Sequence, residues 1–248
     1  MNEDLWRITA FFNCWRQRHA FIRDLDFSKH NYEANVLLWA SLDALSNLWA
    51  ENIGKEQCKN KGKRLIFDAF LSHYGGDVFQ IVSLPDIWSR VDRGNIEVDR
   101  CKQLKLPEDV CQFLGRIGER QTPTFLSQRQ LRHSSDDWSL DAIITAVLEN
   151  CPGTNRNDLE SWLILSRYGA IAYKEMRSAY IHEGRPGTGT HGFKLSQSAI
   201  RPTYSSGIHT TPPTIGFEVK FMLTVLEDCI HAFESEALAL QRDPVPEE

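Results

Sequence analysis

The sequence predicts an all-α protein, and three observations carry that reading. Apolar residues recur at helical spacing through the long segments, as at Leu5, Ile8, Phe11, Phe12, Trp15, Phe21 and Ile22. Gly54, Gly75-Gly76 and Pro152-Gly153 fall where these stripes stop. Polar residues suited to capping a first turn stand at starts, with Ser135 or Asp137 before one stripe and Asn157, three residues ahead of Glu160, before another.

In chain order, residues 5–23 read as an opening helix, and a polar break at Asp24–His30 precedes the strongest early helix, 31–53. That second helix carries Val36, Leu37, Ala40, Leu42, Ala44, Leu45, Leu48 and Trp49, and Gly54 ends it. A third helix spans 60–74 through Leu65, Phe67, Phe70 and Leu71. In the middle, Pro85, Gly94, Pro107, Gly115, Gly118 and Pro123 leave room only for short helices at 77–92 and 107–117. The stretch 77–135 therefore reads as a lid or inserted lobe within one domain of residues 1–248. Leu140, Ile143, Ile144, Val147 and Leu148 form a stripe over 138–150. A long helix runs from Asn157 to Glu183, a turn-rich loop fills 184–215, and Val219, Met222, Leu226, Cys229, Ile230, Phe233 and Ala237 stripe a last helix over 216–240, ahead of a tail at 241–248.

Composition narrows the function classes. With 248 residues, 42% hydrophobic and 10% aromatic, the chain can bury a sizeable core. No apolar run approaches the roughly 18 residues that a bilayer span needs, and Met1-Asn2-Glu3-Asp4 lacks the basic-then-apolar order of a signal peptide, so a cytoplasmic location is expected. The six cysteines, at 14, 58, 101, 111, 151 and 229, form no Cys-x2-Cys pair and have no His at zinc-ligand spacing; no metal and no cofactor is expected. Signatures of P-loop, serine-elbow and His-Glu-x2-His chemistry are missing from the sequence. The net charge is −5, yet residues 55–64 hold five basic side chains against one acid, and residues 184–217 carry Arg185, Lys194 and Arg201 with no acid. Two local basic surfaces suit a protein that grips a short piece of phosphate backbone; as solvated linkers they would do nothing of the kind.

The segment Tyr173–Gly184 is the most informative in the chain. It ends a long apolar helix with Arg177 and His182, five residues apart. An arginine that holds a phosphodiester and a histidine that moves a proton are together what metal-free RNA cleavage requires. Spacing alone says little, because Arg185 and His191 repeat a similar interval inside Gly187-Thr188-Gly189-Thr190, where no regular helix holds. Arg177 and His182 lie instead in helical frame, and counting from Leu159 through Leu163, Ser166, Ala170 and Tyr173 puts Arg177 on the apolar seam. A charge there needs an ion-pair partner, a cleft or a second subunit. Five residues of ideal helix leave the two side chains about 140° apart, so they converge only where the last turn loosens, as Gly184 permits.

The run Arg177-Ser178-Ala179-Tyr180-Ile181-His182 resembles the signature of the HEPN domains, an Arg, a small polar residue and then a His near the end of a late helix, and the following Glu183-Gly184 is similar to the His-Gly ending of one branch. The early helix with Leu42-Asp43-Ala44-Leu45, the segment Phe67–Tyr74 and the last amphipathic helix extend the likeness over most of residues 30–240, with 77–150 the least familiar part. The resemblance implies an up-and-down helical bundle, a homodimer with two Arg/His pairs facing each other, and RNA cleavage without a metal, in a toxin or antiphage defence effector with an antitoxin or defence partner. Some members of that family only bind RNA, a nucleotide or a protein. On this reading His182 is general acid or base and Arg177 holds the scissile phosphate. Ser178 donates to phosphate or orders the imidazole, or is an ordinary helix residue. Tyr180 bonds phosphate or fills the seam. Asp43, an acid among apolar neighbours, is the candidate that orients Arg177 or His182. Arg185, Lys194 and Arg201 contact substrate from a loop that grips phosphate or is a plain excursion, with a short hairpin around Phe193 and Tyr204.

Overall fold

The computed structural model describes residues 3–94, 97–99, 102–118, 120, 130–192, 198–206 and 213–245. The chain is mostly helical. It opens with α1 (Glu3–Arg23), α2 (Asn31–Glu51), the single turn α3 (Lys55–Cys58) and α4 (Lys63–Tyr74). A 3-10 turn at Asp77–Gln80 leads through β1 (Ile81–Val82) into α5 (Leu84–Asp92). β2 (Glu97–Asp99), β3 (Lys102–Leu104), α6 (Glu108–Leu114), β4 (Gln130–His133), β5 (Trp138–Ser139), α7 (Leu140–Asn150) and α8 (Arg156–Ile164) follow. Then come α9 (Tyr168–Ala172), a π-helical stretch Tyr173–Ser178, α10 (Ala179–Glu183), β6 (Thr203–Ser206), β7 (Thr214–Gly216) and α11 (Val219–Leu240).

Two hydrophobic cores divide the described residues. The larger joins Ile8 and Phe12 of α1, Leu38, Trp39 and Trp49 of α2, Phe67 and Phe70 of α4, Tyr168, Met176 and Tyr180 of the motif segment, and Met222, Leu226 and Phe233 of α11. Phe12 and Phe70 meet the ring of Phe233 edge-on at centroid distances of 5.2 and 6.1 Å, the geometry that aromatic quadrupoles favour. The second core is the inserted lobe. It gathers Val82, Ile87 and Trp88, Val110 and Leu114 from α6, Ile143 and Val147 from α7, and Leu159 and Trp162 from α8. The lobe thus takes in α7 and α8 and reaches beyond the expected 77–135, because their apolar faces turn to α5 and α6.

The long helix expected from Asn157 to Glu183 is interrupted. Asn155, not Asn157, caps α8, accepting from the backbone N–H groups of Asn157 and Asp158 at 2.9 and 3.2 Å. The helix stops at Leu165–Arg167 because Ser166 is claimed by the lobe. Its carbonyl accepts from Ser83 N–H at 2.9 Å and its hydroxyl donates to Asp86 at 2.7 Å. Those bonds compete with the helical ladder. Arg90, fully buried, stacks over the Trp162 ring at 3.8 Å and donates to Ser166 Oγ at 2.7 Å, fixing the same junction.

Ser139 caps α7, leaving Asp137 for another duty. Asp137 Oδ2 accepts from the buried phenols Tyr168 and Tyr204 at 2.6 and 2.8 Å, and the Tyr204 oxygen accepts in turn from the Ser83 hydroxyl at 2.7 Å. Burial, with Asp137 adding to it, pushes both phenols far above their ordinary value, so they remain donors. The hairpin after the motif pairs β6 with β7, Tyr204 opposite Ile215, and β4 of the inserted region adds on the other edge of β6. Phe193, the other expected centre of that hairpin, lies outside the described residues. No described helix is long and apolar enough to cross a membrane.

Candidate functional site

The motif segment enters the bundle at Gly169, where a Cβ would come within 3.0 Å of Asp68 Cα, so a side chain here would push α9 off α4. Asp68, fully buried on α4, accepts from the Arg167 guanidinium through Nε at 2.9 Å and from the Ala170 N–H at 3.1 Å. Burial pushes the Asp68 carboxyl up, and the Arg167 charge together with these bonds works against that shift. Arg64 holds the other side of the same corner, donating to the carbonyls of Ala170 and Leu165 at 3.0 and 2.6 Å. α9 therefore starts from a rigid base.

From that base the chain widens into the π-helical turn Tyr173–Ser178, which contains Arg177. A π turn bonds i to i+5 and overwinds nothing; it leaves room and exposes backbone groups that an α-helix would use, and such turns concentrate at functional sites. Here the Glu175 carbonyl accepts from Gly187 N–H at 2.7 Å and the Glu175 carboxylate accepts from Gly189 N–H at 3.0 Å. The glycine-rich loop is thereby bound to the motif turn. A Cβ at Gly187 would sit 2.9 Å from the Glu175 carbonyl oxygen. Gly187→Ala is expected to cost about 1–3 kcal/mol of stability, as overpacking typically does, read as a lower denaturant midpoint with unchanged slope.

Arg177 projects to α2, where its Nη2 donates to Asp43 Oδ2 at 2.6 Å. Both side chains keep only about 15% exposure, 15% for Arg177 and 14% for Asp43. Of the two partners that sequence left open for Asp43, the geometry brings it to Arg177. The guanidinium also lies over the Tyr173 ring at 5.2 Å, and burial raises that phenol. Arg177 Nε is buried with no hydrogen-bond partner among the described residues. An orphaned buried donor costs about 1–3 kcal/mol, and more on a charged group, so its retention calls for a reason.

His182 lies exposed in α10, and Gly184 closes that helix in the left-handed conformation at φ 69°. No hydrogen bond joins His182 to Arg177 among the described residues. Tyr180 is buried with its ring 6.1 Å from that of Tyr32, a filling role, and Ser178 is half-buried. Tyr32 and Ile181, 47% and 39% exposed, flank this end of the helix as apolar surface. Ile181 precedes His182, and a Cβ at Gly184 would lie 3.6 Å from the Tyr32 hydroxyl.

The expected substrate contacts disperse. Arg185 is exposed and pairs with Glu183 at 3.7 Å. Arg201 is half-buried, its Nε without a partner among the described residues. Lys194 lies outside the described residues. His191, the histidine of the other Arg/His interval, is a buried structural residue whose Nε2 meets the Thr203 carbonyl at 3.0 Å. Sequence reasoning missed Glu175 and Asp68 as organisers of the segment. Asp68 between Phe67 and Ala69 had the same signature as Asp43, an acid inside an apolar stripe. Among the described residues no three His, Cys, Asp or Glu side chains gather into a metal-binding group.

Comparison with protein-family models, with characterised proteins and with solved structures gives no match.

Proposed function

We propose that this protein is a metal-independent endoribonuclease of the HEPN type, working through a composite site of two chains. The observation that carries the reading is Arg177: a cation held by Asp43 in a π-helical turn, with an orphaned donor, five residues before an exposed histidine. Asp43 fixes the guanidinium plane through Nη2, and Nη1 is the donor left for the scissile phosphate and its dianionic transition state. His182 takes the proton of the ribose 2′-hydroxyl or gives one to the 5′-oxygen leaving group. Cleavage by 2′-hydroxyl attack needs both a base and an acid, and one chain offers a single exposed histidine on this segment. A two-fold axis supplies the second. The apolar Tyr32 and Ile181 beside His182 then pack between copies, in keeping with a homodimer of HEPN-like bundles.

A toxin or antiphage effector, restrained by an antitoxin or defence partner, is the biological setting this reading favours. The products are a 2′,3′-cyclic phosphate and a 5′-hydroxyl. Incubation of single-stranded and structured RNA with the protein in excess EDTA is expected to yield these ends, with the rate per chain falling on dilution below the dimer dissociation constant. Cleavage that EDTA abolishes and magnesium or manganese restores would refute the mechanism. A monomer in light scattering at micromolar concentration, with cleavage undiminished by dilution, would refute the composite site.

The Asp43 ion pair, which leaves Arg177 only 15% exposed, favours a second reading, a non-catalytic HEPN-like module in which Arg177 and Asp43 are a structural pair and the surface binds RNA, a nucleotide or a protein. RNA binding without cyclic-phosphate ends would select it.

A further inference from the structure

A cleft of about 430 Å³ opens between the inserted lobe and the bundle, and its lining includes Arg64 of α4, Arg93 at the end of α5 and Lys174 of the π turn. We propose that it binds a phosphorylated small molecule of up to nucleotide size, at a site separate from Arg177 and His182.

Size is the first argument. Small-molecule sites occupy about 300–1,000 Å³ and prefer junctions between structural units. Here the junction is between the two hydrophobic cores. Charge is the second. The body carries −5, yet three cations converge on this cleft from three separate elements. Two acids also line it, and both are already engaged by protein donors. Asp86 accepts the Ser166 hydroxyl at 2.7 Å, and Glu175 accepts Gly189 N–H at 3.0 Å. Lys174 lies 3.4 Å from Glu175 Oε1 but keeps 54% exposure, so its ammonium is free to turn to an anion. Arg93 donates Nε to the Ser89 carbonyl at 3.1 Å, and no carboxylate pairs with it among the described residues.

Rigidity is the third. Arg64 is held by the carbonyls of Ala170 and Leu165, so one cation is positioned before a ligand arrives. The two exposed cations can close over a phosphate. Thr188 and Thr214 add hydroxyl groups to the rim, and Ile171 and Ile215 give an apolar floor for the organic part of the ligand. The volume suits a terminal phosphate on a compact molecule.

The test uses the full-length protein in EDTA. Thermal melts and calorimetric titrations are run with sodium phosphate, with ADP and with sodium chloride at matched ionic strength. Phosphate or ADP at a hundred-fold excess over its Kd is expected to raise Tm by about 5–10 °C above the chloride control. ADP binding more tightly than phosphate would assign part of the recognition to the apolar floor; equal binding would assign it to the phosphate group. Arg93→Ala and Lys174→Ala remove exposed side chains, leave the fold intact and are each expected to weaken binding about ten- to a hundred-fold. Absence of any shift beyond chloride with both anions, or binding that survives the Arg93→Ala, Lys174→Ala double variant, overturns the proposal. Neither readout depends on RNA cleavage.

Discussion

His182→Ala is expected to lower the rate of RNA cleavage by at least about 100-fold with no loss of folded protein, since general acid–base catalysis contributes about 10²–10⁴. The structural argument for an intact fold is that the imidazole is exposed at the end of α10 and makes no hydrogen bond with any described residue. Arg177→Ala should reduce the rate comparably, but for two reasons that can be separated. It removes the phosphate contact, and it leaves the Asp43 carboxylate, 14% exposed, without its cation. Arg177→Lys keeps the charge for Asp43 and loses the planar fork, so it should recover stability while leaving cleavage impaired. Asp43→Asn is the complementary probe, since it frees the guanidinium to drift and lowers the rate while preserving the side-chain volume. Circular dichroism and denaturant midpoints accompany each assay. Normal specific activity in the folded fraction of either alanine variant would make the pair structural and sink the ribonuclease reading.

How much of this was legible in the sequence depends on whether the determinant was local. The stripe Met222, Leu226, Ile230, Phe233 reads directly as α11, because burial follows the helical period. Asp43 was legible for a different reason: an acid between Leu42 and Ala44 must find a cation, and it does. The break at Leu165–Arg167 was not legible, since apolar periodicity runs on through it. What stops the helix is Ser83, some eighty positions away, whose N–H takes the Ser166 carbonyl. Asp137 misled for the same reason. It stands at a capping position, but Tyr168 and Tyr204, brought in from distant segments, claim its carboxylate. The π turn has no sequence signal of its own; it becomes visible once Gly187 and Gly189 are seen to bond Glu175. Local pattern thus located the motif, and long-range hydrogen bonds decided its shape.

The strongest of those long-range bonds leads to the largest stability effect. Asp68→Ala is expected to lower the unfolding free energy by about 3–5 kcal/mol, because it strands a guanidinium that is mostly buried and deprives the Ala170 N–H of its acceptor. Against a total of about 5–15 kcal/mol for an ordinary domain, that is a large share. The effect should not stop at stability. Asp68 touches the segment at Arg167, Gly169 and Ala170, directly before the π turn that carries Arg177. Loss of that anchor should let α9 shift on α4 and misplace Arg177, so the folded fraction is also expected to cleave RNA more slowly. A double variant separates the ion pair from the packing. Asp68→Leu with Arg167→Met replaces both charges by apolar groups and should recover most of the stability, since a buried pair is often matched by well-packed hydrophobes. It also removes the acceptor for Ala170 N–H, so recovery should fall short of complete by about the 1–3 kcal/mol of one unsatisfied buried donor. Denaturant titrations of the two single variants and the double variant give the coupling energy directly. Single variants within about 0.5 kcal/mol of the parent would mean that Asp68 and Arg167 do not anchor the motif segment.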